Sequence, residues 1–147
     1  MVYASVADMN VRYGRDTLRQ LAEQKIDCDN DGQPLQTVEQ VIETALADAS
    51  AAIDGYIDTR LLLPLQKVPA VLIRHTCILA RYALEPGAAT EKAEKEYDAT
   101  IRFLEKVSTG DISLALTQDE EQPDTGDVVV MENAGSVWAR DRSKGYI

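Results

Sequence analysis

The chain has 147 residues, 45% of them hydrophobic, and a formal net charge of −10. That length suits one domain with a modest core, and the acidity argues against non-specific nucleic-acid binding, which needs Lys and Arg to neutralise phosphates, and against docking on an anionic membrane. Only Phe103, Trp138 and six Tyr supply aromatics, so an aliphatic, alanine-rich core of close-packed helices is expected.

Ser5 and Asp8 have the spacing of a capping box opening a short helix, which stops near Gly14. Asp16 is placed to cap a second helix, with Leu18, Leu21 and Ala22 turned inward. A polar loop, KIDCDNDGQPLQ, then leads to Thr37, which with Gln40 forms another capping box. Beyond it Val38, Val41, Ile42, Ala45, Leu46, Ala49, Ile53, Tyr56 and Ile57 fall on one apolar stripe. Pro64 requires this helix to end by Leu63, giving up to about 24 residues and roughly 36 Å. Gly55 inside it costs about 1 kcal/mol relative to Ala, which points to a neighbouring backbone passing close by.

Pro69 is expected as the first residue of the next helix, where its missing N–H is harmless. Leu72, His75, Leu79 and Tyr82 share a face of that helix, with Val71 and Ile78 adjoining, and Pro86-Gly87 ends it after Glu85. Thr90 opens the last helix, whose inner face is Ala93, Tyr97, Ile101, Leu104 and Val107 or Ser108, and Gly110 is its natural stop. After Asp111 the character changes. Residues 117–127, TQDEEQPDTGD, read as an acidic linker. Val128 to Met131 is a short apolar run with the look of a strand, and the closing residues place Arg140, Arg142 and Lys144 near Trp138 and Tyr146. The expectation is an all-α bundle of four to five helices over 1–110, followed by an extended linker and docking tail over 111–147.

The acidic loop Asp27-Cys28-Asp29-Asn30-Asp31-Gly32 matches the first half of an EF-hand calcium loop. Its second half fails: Val38 stands where the bidentate Glu belongs, Glu39 comes one residue late, and Pro34 falls where a loop bridge would need an N–H. A solvated acidic turn is therefore favoured over a calcium site. The sole histidine, His75, reads as packed at a core margin. It cannot pair with Cys77 as a nucleophile, because residues two apart on a helix diverge. Asp54 and Asp58 share a face, but salt bridging to Arg60, Arg74 or Arg81 is the expected fate of such carboxylates. Arg12, Arg15 and Arg19 form a mixed-charge surface. GxSxG, HExxH, Walker A and GxGxxG motifs are all missing, so no enzyme activity, cofactor or metal is expected. Cys28 and Cys77 form no CxxC and read as free thiols in a reducing cytosol. No signal pattern or membrane-spanning apolar run is present, which points to synthesis and folding in the cytoplasm.

Four stretches in order, VYASVADMNVRYG, DASAAIDGYIDTRLLLPLQKVP, CILARYAL and YDATIRFLEKVSTGDISL, together with the closing SVWARDRSKGYI, resemble the Mu-like bacteriophage neck family. The resemblance implies a small helical virion protein at the head–tail junction. It implies a connector or adaptor role as a homo-oligomeric ring, with the portal and tail-completion proteins as partners. The docking residues expected on that reading are Trp138, Arg140, Asp141, Arg142 and Tyr146. Another reading is a soluble acidic protein-binding module; a third, a calcium-responsive protein, rests on the acidic loop alone.

Overall fold

The computed structural model describes residues 1–116, and its regular elements are five helices: α1 (Val6–Tyr13), α2 (Arg15–Glu23), α3 (Val38–Ile57), α4 (Ala70–Leu84) and α5 (Glu91–Thr109). The expected all-α bundle is what the chain forms. α3, α4 and α5 each pack on the other two, and α1 and α2 close over α3 and α4.

Local chemistry sets most of the boundaries. Both capping boxes form: Ser5 with Asp8 opens α1, and Thr37 with Gln40 opens α3. Thr90 caps α5 by accepting from the Ala93 N–H, and Gly110 ends it in the left-handed conformation, at φ 85°. Two starts differ from expectation. Gly14 serves as the C-cap of α1 and the N-cap of α2, so Asp16 lies inside the first turn of α2 and caps nothing. Pro69 is the N-cap of α4, with ψ 142°, and helical geometry begins one residue later.

α3 is shorter than its proline limit allows. It ends at Ile57 and is twenty residues long, or about 30 Å. Arg60 and Leu61 both donate to the Ile57 carbonyl, in a turn that carries the chain out of the helix. Pro64 explains the early exit: its ring would clash with the Arg60 carbonyl in a continued helix, so the chain must leave before that turn is complete. The Leu63–Pro64 peptide bond is cis.

The α3 stripe is the spine of the core. Val41, Ile42, Ala45, Leu46, Ala49, Ile53 and Ile57 are buried, and Val38 and Tyr56 pack at its margin. α4 is buried more broadly than its predicted face, adding Thr76, Cys77, Ala80 and Leu84, because it meets partners on two sides. The expectation for Gly55 fails. A Cβ built there meets nothing within 4 Å, so no backbone passes close and the residue faces open space.

The body continues beyond α5. Over residues 111–116 exposure alternates, and Ile112, Leu114 and Leu116 pack against the core. Ile112 also donates its N–H to the Lys106 carbonyl, 3.2 Å away, which folds the segment back on the helix end.

Candidate functional site

Trp138, Arg140, Asp141, Arg142 and Tyr146, the residues expected to dock, lie outside the described residues, as does the Val128–Met131 run. The body does settle how its own chemically capable side chains are used.

His75 sits between α4 and α5. Its ring stacks on Phe103, with centroids 4.3 Å apart, and its Nδ1 is 2.9 Å from Thr100 Oγ1. Burial, reinforced by Arg74 and Arg12, depresses the imidazole to about 4, so the ring is neutral at pH 7. That is the packed core-margin histidine the sequence suggested. Cys77 is buried, and burial pushes its thiol above the usual range; Cys28 is exposed, and both are free.

Asp54 has a different partner from the arginines expected. The Tyr3 hydroxyl donates to Asp54 Oδ1, and the Met1 amino group lies 3.1 Å from Oδ2. One turn earlier, Ser50 Oγ accepts the Tyr3 backbone N–H at 3.0 Å and donates to the Leu46 carbonyl at 2.7 Å. The segment before α1 is thus fastened to α3 through two polar side chains. Burial and the Asp54 carboxylate both raise the Tyr3 phenol. Ser50 was readable only as a polar residue interrupting an apolar stripe, and nothing local to Tyr3 announces its partner.

Two of the arginines tie elements together. Arg81 reaches Glu85 at 3.4 Å and Glu96 at 3.9 Å, and its guanidinium lies 4.9 Å from the centre of the Tyr13 ring, joining α1, α4 and α5. Burial, with Glu96 close by, pushes the Tyr13 phenol to about 12. Arg60 donates to the Thr109 carbonyl at 3.0 Å, satisfying a free acceptor at the C-terminus of α5 where a cation is favoured.

In the acidic loop the Asp29 carboxylate is turned onto its own backbone. It accepts from the N–H groups of Asp31 at 2.9 Å and Gln33 at 2.8 Å, an Asx-type turn. Cys28 and Pro34 face each other in an antiparallel bridge whose hydrogen bonds come from the flanking Asp29 and Leu35 N–H groups. Pro34 therefore occupies a position that needs no donor. Among the described residues, no three His, Cys, Asp or Glu side chains converge as a metal site.

One apolar feature is left at the surface near the end of α3. Leu61 and Leu65 are buried, whereas Leu62 and Leu63 between them are 49% and 36% exposed.

With the body described, comparison with known proteins assigns its kinship. The family model described as Bacteriophage Mu, Gp36 matches residues 3–133. The chain belongs to this family. The Mu-like prophage FluMu protein gp36 of Haemophilus influenzae is 52% identical over 109 residues, 74% of this chain and 77% of the relative. Gene product J of Escherichia phage Mu is 38% identical over the full length of both chains. This Gp36-family member is a phage protein, as the resemblance in its sequence implied. The family match takes in the helical body and the Val128–Met131 run and stops before Trp138. None of the described helices is long and apolar enough to cross a membrane.

Proposed function

We propose that this Gp36-family protein is a virion structural component of the neck, a non-enzymatic connector that joins portal to tail as a homo-oligomeric ring. The observation carrying the reading is the family match over residues 3–133, which places the chain among proteins of Mu-like phages. The chemistry of the body agrees with a structural role. Its histidine is packed and neutral, Asp54 is committed to Tyr3, and Asp29 is committed to a turn. Helix faces of mixed charge supply subunit contacts, while Trp138, Arg140, Asp141, Arg142 and Tyr146 dock on the portal or a neighbouring subunit. An aromatic pair flanked by arginines suits such a contact, with the rings filling a groove and the guanidinia meeting carboxylates.

The test is assembly of the full chain alone and with its cognate portal, followed by gel filtration and negative-stain microscopy. Annular particles and co-migration with the portal are expected. A monomer that never associates with portal or tail components overturns the reading.

A further inference from the structure

We propose that the Leu35 groove at the start of α3 in one subunit docks on the Leu62–Leu63 shelf that follows α3 in the next, so that copies of this chain join head to tail. Among the described residues, large apolar side chains are exposed at four places: Met1 with Val2, Val11, Leu35, and Leu62 with Leu63. Two of the four select no partner. The Met1 amino group is engaged by Asp54, and Val11 is flanked in sequence by charges of both signs, Asp8, Arg12, Arg15 and Asp16. The other two lie in stretches of opposite sign. From Gln24 to Asp48 the chain carries six acidic side chains, all exposed, and one lysine. From Thr59 to Leu84 it carries four basic side chains and no acidic one, and Lys67 and Arg74 among them are exposed.

Both patches are held in place by the fold. Leu35 stands on a small hairpin: its N–H donates to the Asp27 carbonyl at 2.8 Å, and the Asp29 N–H donates to the Gln33 carbonyl at 2.9 Å. It edges an open groove along the first turns of α3, lined also by Gln40, Glu43, Thr44 and Ala47. Leu62 and Leu63 are fixed by Leu61 and Leu65, which are buried on either side of them. The patches flank opposite ends of α3, a helix of twenty residues that spans about 30 Å, too far apart to meet within one chain.

Two unlike patches on one subunit make a heterologous contact, which repeats from copy to copy and closes as a ring where the rotation allows. The leucines supply the desolvated centre of that contact, and the opposite charges around them set partner and register. The inference rests on the ring reading of the proposed function and names the surfaces that build the ring. Its test needs no portal.

In a Cys28→Ser background, Leu35→Cys is combined with Leu62→Cys. Mild oxidation of the concentrated full-length protein should give a ladder of dimers, trimers and longer chains on a non-reducing gel. A disulfide needs Cα atoms within about 7 Å, so this pair can join only between copies, and each single cysteine variant should stay monomeric. Charge reversal provides the second readout. Glu39→Lys with Glu43→Lys, and separately Lys67→Glu with Arg74→Glu, should each weaken self-association in sedimentation by about tenfold or more. Mixing the two reversed proteins should restore it, because reversed groove then meets reversed shelf. All four positions are exposed, so helical circular dichroism should not change. Dimers from either single cysteine variant would overturn the head-to-tail pairing. A chain that stays monomeric and gives no ladder would overturn the contact. Rings that persist through both reversals would also overturn it, while leaving the proposed function standing.

Discussion

Single side chains in this body are used for fastening, and the buried ones carry large consequences. Ile53 is 0% exposed at the centre of the α3 stripe. Ile53→Asp would bury a carboxylate with no partner, on the order of 4 kcal/mol, a large part of the stability of a small domain. Thermal melting should show the variant largely unfolded at room temperature or melting tens of degrees lower. His75 makes a pH prediction. Its folded value, about 4, lies below the ordinary 6.5, so the unfolded chain binds more protons between those limits. The stability this group protects is therefore fully present above pH 6.5 and drains away as pH falls towards 4, by on the order of 3 kcal/mol in all. Urea titrations between pH 7 and 5 should show the decline, and His75→Gln should flatten it across that range, where carboxylates contribute little.

At the scale of elements, a glycine inside one helix and a glycine at the end of another make opposite predictions. Gly55 lies inside α3 facing open space, so Gly55→Ala should raise stability by about 1 kcal/mol, visible as a melting midpoint several degrees higher. Gly110 adopts φ 85°, and a Cβ there would fall 1.3 Å from Arg60 Nη2. Gly110→Ala should destabilise by about 2 kcal/mol through backbone strain and displacement of the guanidinium, with the same melting experiment reading the sign. The contrast also shows what was legible beforehand. Capping boxes at Ser5 and Thr37 and the glycine stop at 110 are local codes, written within one turn, and they read directly. The α3 stripe was equally clear, because burial repeats with the helix period. Contacts such as Tyr3 with Asp54 or Arg60 with Thr109 join residues about fifty positions apart, and no local pattern encodes them. Gly55 misled because a propensity cost was taken as evidence of a packing need, when an exposed helix face simply tolerates the cost. The residues expected to dock were singled out by composition and by the family resemblance, and they lie outside the described residues.

For the whole molecule, the boundary between body and tail decides what truncation does. The sequence suggested 110, where α5 stops, but Ile112, Leu114 and Leu116 rest on the core. Ending the chain after Leu116 should leave helicity intact and lower the melting midpoint by no more than a few degrees, because the helices keep their caps and apolar faces. Ending it after Gly110 removes three partly buried side chains, which should cost about 3 kcal/mol at ordinary burial coefficients. Circular dichroism melts of the two truncations, run side by side, check the difference. Equal stabilities would place residues 112–116 outside the folding unit, and collapse of the longer form would place part of 117–147 inside it.

The hydrogen bond from Arg60 to the Thr109 carbonyl also matters mechanically. A tether pulled at Leu116 loads the body where the extended segment meets the last turn of α5. Unbraced, that turn is the weakest part of the helix, because its final carbonyls have no partners within it, and it would unwind residue by residue. Arg60 ties the turn to the segment that follows α3, so the turn does not bear the pull alone. Without Arg60 that turn would be the first part of α5 to yield.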